Sequence, residues 1–171
     1  MKFNLLAAAA MAGLIALSFP RASTAQNAEA IFSTDSMKPE IALDLAKSAL
    51  DICRAAGYQV AIAVVDRSGL TQVVLRDRFA GAHTVDTATR KAWTAVSFRT
   101  ATLDLGTLVK ESPVMAGLPD ITNALVLGGG IPVQAAGNIV GGIGISGAPG
   151  ADLDHECAEK AIEKFQDLLD F

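Results

Sequence analysis

The stretch Gln59-Val60-Ala61-Ile62-Ala63-Val64-Val65-Asp66-Arg67-Ser68-Gly69-Leu70-Thr71-Gln72-Val73-Val74-Leu75 decides the fold class. Gln59–Asp66 is short and rich in Val and Ile, which reads as a well-buried strand. Asp66-Arg67-Ser68-Gly69 carries residues that tolerate the dihedrals of a hairpin turn, and Leu70–Leu75 returns as a second strand. Strands joined by a hairpin run antiparallel, so this segment disfavours a doubly wound parallel sheet.

Upstream, Ala42, Leu45, Ala46, Ala49, Leu50, Cys53 and Ala56 recur at helical spacing. Ser36 is a candidate cap before Pro39, and Gly57 takes the left-handed closing position. Downstream, Arg76–His83 is a charged, glycine-containing loop. A helix capped by Thr84 or Asp86 is expected to about Thr100, with Val85, Ala88, Ala92, Ala95 and Val96 facing inward. A further helical stretch covers Leu103–Lys110, and Ser112–Pro119 is irregular. Three more strands are predicted at Ala124–Leu127, Ile131–Gln134 and Ile139–Ser146, with Gly128-Gly129-Gly130 and Gly137-Asn138 as turns. A terminal helix opens at Asp152 or Asp154 and turns Leu153, Cys157, Ala161, Phe165 and Leu168 or Leu169 inward. This order predicts an α+β fold, an antiparallel sheet of about five strands flanked by helices.

With 171 residues the chain is one domain's worth of polypeptide. Hydrophobic residues at 51%, charged residues at 19% and a mean hydropathy of +0.37 exclude a disordered chain. A formal charge of −4 and a pI near 5.1 argue against a protein whose task is gripping nucleic acid. Two cysteines are too few for a disulfide-rich scaffold or a four-thiolate metal site. Cys53 and Cys157 fall on the inward stripes of the first and last helices. A bridge between them and two separate buried thiols both stand as readings.

The amino terminus reads as an address. Lys2 precedes an alanine- and leucine-rich core at Leu5–Leu17, Pro20 breaks the helix, and Ser23-Thr24-Ala25 offers small residues to a signal peptidase. A retained membrane anchor would need about 20 apolar residues. The expected organisation is a secretory signal peptide at 1–25, a flexible arm at 26–36 and one domain at 37–171. Cleavage removes Lys2 and Arg21, leaving a formal charge of −6. The expected destination is periplasmic or extracellular, without stable membrane insertion.

His83 and His155 are the two histidines, and no spacing matches a metal motif. The cluster Asp152, Asp154, His155 and Glu156 reads as acids favoured by a helix start. His83 closes the loop Arg76-Asp77-Arg78-Phe79-Ala80-Gly81-Ala82-His83. A neutral imidazole can ligate haem iron or act as a general base, and arginine pairs with carboxylates such as haem propionates. A solvated loop whose histidine merely packs is the alternative. Gly141-Gly142-Ile143-Gly144-Ile145-Ser146-Gly147 lacks the strand–turn–helix context of a dinucleotide site. Its glycines leave space on one sheet face for a flat ligand, or for a closely packed helix.

Several blocks together resemble the GlcG/HbpS family: Val64-Val65-Asp66-Arg67-Ser68-Gly69, the arginine-containing loop, and Lys91-Ala92-Trp93-Thr94-Ala95. Gly129-Gly130-Ile131-Pro132-Val133, Gly142-Ile143-Gly144-Ile145-Ser146-Gly147, and Asp154 followed by Cys157-Ala158 extend the likeness over nearly all of 37–171. The resemblance implies a profilin-like fold and symmetric homo-oligomers, often octamers. The family includes secreted haem-binding proteins linked to redox sensing, glycolate-operon proteins and the C-terminal domain of PduO-type proteins. For this chain it implies a haem or similar planar carboxylated ligand, with Asp66, Arg76 and Lys91 at motif positions; His83 falls in the equivalent loop, where the family often has serine or another polar residue, and it is the candidate metal ligand by the chemistry of its imidazole. These three have structural alternatives: Asp66 holding the turn, Arg76 pairing with Asp66 or Asp77, and Lys91 exposing its ammonium. Two other functions remain open. One is a small enzyme acting on an organic hydroxy acid, with His83 or Asp66 moving a proton; the other is an oligomeric partner of a sensor protein.

Overall fold

The computed structural model describes residues 30–169. The expected signal peptide and residues 26–29 of the arm lie outside the described residues. The chain divides into Met1–Ser33 and Thr34–Phe171, and everything below concerns the second unit.

The first helix, α1, spans Pro39–Ala55. Its start is set by Pro39 rather than by Ser36. The cap position is Lys38, without a side-chain bond, and proline at the first turn has no N–H left to satisfy. Its buried stripe is Ala42, Leu45, Ala46, Ala49, Leu50 and Cys53. Gly57, at φ +86°, donates its N–H to Arg54 O. The hairpin follows as β1 (Ala61–Asp66) and β2 (Thr71–Arg76). Asp66 holds its turn: Oδ1 accepts from the N–H groups of Ser68 at 2.8 Å and Leu70 at 2.9 Å. Next come α2 (Thr84–Phe98), α3 (Thr102–Glu111), β3 (Gly130–Ala135), β4 (Asn138–Ser146), α4 (Ala151–Glu163) and α5 (Gln166–Leu169).

Among the described residues the sheet has four strands in the order β2-β1-β4-β3, every pair antiparallel. The fifth strand expected at Ala124–Leu127 does not form. Its backbone is engaged by side chains instead of a neighbouring strand. Thr94 Oγ1 accepts from Leu125 N–H, Arg90 donates to Ala124 O, and Thr102 Oγ1 donates to Leu127 O. The helix starts are also corrected. Neither Thr84 nor Asp86 caps α2, since Thr84 Oγ1 donates back to Gly81 O, and α4 opens at Ala151 after Gly150 rather than at Asp152 or Asp154.

One sheet face, with Ile62, Val64, Ile143 and Ile145, buries against α1 and α4. The other presents Ala61, Ala63 and Val65 to Ala88, Ala92 and Val96 of α2. The β4 glycines bring that helix close. A Cβ at Gly142 would stand 2.5 Å from Val96 Cγ2, and one at Gly144 would overlap the Ala88 carbonyl oxygen. The space that a flat ligand would need there is filled by the backbone of α2, so these glycines serve helix–sheet packing. Cys53 and Cys157 are both buried, free thiols.

Candidate functional site

The loop between β2 and α2 is tied down from three sides. Asp77 is buried, and its carboxylate receives Arg54 Nε at 2.8 Å and Nη2 at 3.0 Å in a two-pronged pair. It also accepts from the Arg78 N–H at 2.8 Å. The hydrogen bond from Arg54 is the main reason the Asp77 carboxyl is held down at about 2. Arg76 turns its guanidinium onto Ala80 O, with Nε at 2.9 Å, and Thr84 Oγ1 reaches Gly81 O at 2.7 Å. A loop so braced presents Phe79, 79% exposed, and His83. The imidazole lies over Gly81, where a Cβ would come 2.8 Å from its Cε1. No hydrogen bond or ion pair to another described residue engages that ring.

Lys91 takes a different route. It stands two turns beyond His83 on α2 and is fully buried. Its ammonium donates to Asp154 Oδ2 at 2.8 Å and to Ile145 O at 2.9 Å, so it fastens α2 to β4 and α4. Asp154 Oδ1 in turn accepts from Ala148 N–H at 2.9 Å. Burial pushes Lys91 down and Asp154 up, each opposed by attraction to the other. Asp154, which the sequence presents as a helix-start charge, is thus the counter-ion of a buried lysine.

Above this pair opens a cleft of about 610 Å³. One wall is the face of α2 bearing His83, Thr87 and Arg90, another is the 146–151 connection into α4, and Gln59 and Phe79 close the sides. Its size lies within the range of small-molecule and cofactor sites. Two of its side chains carry buried polar atoms without a hydrogen-bond partner: Arg90 Nε and Gln59 Oε1. Arg90 Nη2 is fixed by Ala124 O at 3.0 Å, which sets the guanidinium in the wall. The end of α4 that meets the cleft begins at Gly150, which has no side chain to cap it, and carries Asp152 and Asp154 in its first turn.

Of the four residues marked by the sequence, the structure brings His83 and Lys91 to this cleft. Arg76 braces the loop behind it, and Asp66 sits in the hairpin turn, outside the lining. A second hollow, about 460 Å³, lies at the turn end beside Arg67, Arg99 and Asn138 and contains none of the four. Thr87, Arg90 and Gln59 were missed. The spacing 83, 87 and 90 or 91 places one side of a helix together, so Thr87 and Arg90 were reachable from the sequence by extending that face from His83. Among the described residues no cluster of His, Cys, Asp or Glu could hold a metal ion alone, and no helix is long and apolar enough to cross a membrane.

Residues 37–163 match the family described as "Haem degrading protein HbpS-like". The chain is 36% identical over 105 residues to the corrinoid adenosyltransferase PduO of Citrobacter freundii, covering 60% of this chain and 31% of that protein. It therefore spans about a third of the length of the PduO relatives it matches. A double mutant of Streptomyces reticuli HbpS superposes with a TM-score of 0.74 at 36% identity, covering 89% of this chain and 98% of that one. PduOC, solved as a haem complex, superposes with a TM-score of 0.70 at 28% identity over 75% of this chain and 94% of that one. Continuous agreement from Met37 through α4, in sequence and in fold, makes this chain a member of the HbpS-like family.

Proposed function

We propose that this protein is an exported haem-binding protein whose cleft beside His83 seats haem or a similar planar, carboxylated ligand. The observation that carries the reading is the meeting, in one cleft, of an unengaged imidazole and a guanidinium with an unpartnered buried Nε. Those residues fit the group: a neutral imidazole is an axial ligand for haem iron, and arginine matches a carboxylate in shape and charge. Bound haem would supply an iron centre and one-electron redox chemistry. His83 would hold the metal, Arg90 would pair with a carboxylate, and Phe79 would supply an apolar surface for the ring. The bracing by Arg76 and Asp77 holds the imidazole in place, and Lys91 supports the floor through Asp154.

Export rests on the sequence at 1–25, and redox sensing rests on kinship with the family. A homo-oligomer suits a cleft whose rim exposes Phe79 and Leu127, apolar groups that a second copy would cover. Haemin titration of the purified protein tests the ligand. A saturable, shifted Soret band is expected. His83→Ala loses the shift, and Arg90→Ala keeps the band position while weakening binding about tenfold. A free-haemin spectrum in the wild-type protein refutes the proposal. Native mass spectrometry reports subunit number, and the mature amino terminus reports cleavage after Ala25.

A further inference from the structure

Cys53 and Cys157 take no part in the cleft. They sit on α1 and α4, helices packed against each other on one sheet face and sharing one apolar core. Cys53 is fully buried and Cys157 is 4% exposed. Each thiol is the strongest influence on the other: Cys157 pushes Cys53 far above the ordinary thiol range, and Cys53 draws Cys157 below it. Burial works against the Cys157 thiolate, as do Asp154 and Glu156, while Lys160 favours it. A hollow of about 110 Å³ opens beside Cys157, lined also by Tyr58, Glu156 and Lys160. Glu156 and Lys160 are exposed, so the hollow is continuous with solvent. Its size admits a small molecule.

We propose that Cys53 and Cys157 form a reversible dithiol–disulfide couple oxidised by small hydroperoxides, with Cys157 attacking and Cys53 resolving. The Cys157 thiolate attacks one peroxide oxygen. The S–O bond forms as the O–O bond breaks, and the departing oxygen leaves as an alcohol, or as water from hydrogen peroxide, after taking up a proton. Cys157 is then a sulfenic acid. The Cys53 sulfur attacks the Cys157 sulfur, the S–S bond forms, and the hydroxide released carries away the Cys53 proton as water. Two thiols are oxidised and one hydroperoxide is reduced. An external dithiol reverses the bridge by exchange. The bridge pins α1 to α4 without involving the haem cleft, so this inference stands apart from the proposed ligand.

The test uses the purified, reduced full chain and one equivalent of hydrogen peroxide. The expected product has lost both free thiols, is lighter by two hydrogens, yields a Cys53–Cys157 cross-linked peptide and is restored by dithiothreitol. Cys53→Ser is expected to accumulate a sulfenic acid that dimedone labels at Cys157, and Cys157→Ser to react at least about tenfold more slowly. A wild-type protein that gains oxygen atoms without bridging, or keeps both thiols, overturns the proposal. Dimedone labelling at Cys53 in Cys157→Ser at the wild-type rate overturns the assignment of roles. If either variant fails to fold, the wild-type mass and peptide map still decide whether the bridge forms.

Discussion

His83 and Lys91 occupy one side of α2, two turns apart, and could hardly differ more. Lys91 is buried, bonded to a carboxylate and a carbonyl, and its carboxylate is itself satisfied by a backbone N–H. The imidazole of His83 is exposed and unengaged, and the neighbouring Arg90 keeps a buried Nε without a partner. The floor of the cleft has consumed its polar capacity, while the wall has kept some in reserve. Charged residues that bind their own protein hold structure. Those left with open valences are positioned to hold something else.

The sharpest way to break this contrast is to treat the floor like the wall. Asp154→Asn leaves the Lys91 ammonium buried without its counter-ion and is expected to cost about 4 kcal/mol in urea unfolding. Lys91→Met with Asp154→Leu removes both charges and recovers most of that loss. If Asp154→Asn costs no more than a surface substitution, the Lys91–Asp154 pair does not hold the floor together. A second test moves the helix that carries both residues. Gly144→Ala places a methyl against the Ala88 carbonyl and is expected to cost about 3 kcal/mol, read by thermal unfolding. The smallest effect concerns the brace behind His83. The Asp77 carboxyl lies at about 2, below its ordinary value of 3.8, so its contribution to stability is present above 3.8 and is lost as pH falls towards about 2. Asp77→Asn should flatten the pH dependence of unfolding within that window, and an unchanged slope would remove Arg54–Asp77 as a brace.

Periodicity made much of the architecture legible. The apolar stripe of α1, the hairpin and β4 follow from local pattern, and Gly57 and Gly69 do adopt positive φ as their turns require. Ala124–Leu127 misled because its apolar composition imitates a strand, while its backbone partners are side chains of Arg90, Thr94 and Thr102. Local pattern carries no record of such partners. The same limit hid the Lys91–Asp154 and Arg54–Asp77 pairs, which join residues 63 and 23 positions apart. Family blocks marked Lys91 and Asp154 separately, and the 2.8 Å bond between them, formed beside Gly129, shows that they face each other. Arg76, marked as a ligand contact, is spent on Ala80 O, and Arg90 stands in the cleft wall.

The backbone-to-backbone seat of α2 on β4 has a mechanical consequence. Flexible side chains usually act as a cushion between a helix and a sheet, letting the helix slide or tilt by small amounts. At Gly144 that cushion is missing, because the backbone of Ala88 and Ala92 lies directly against β4, so α2 rests like a bar on a rail and the height of its cleft-facing side above the sheet is preset. The 146–151 connection opposite is tied down as well, because Ala148 donates its N–H to Asp154, so the cleft keeps a set width between two fixed walls.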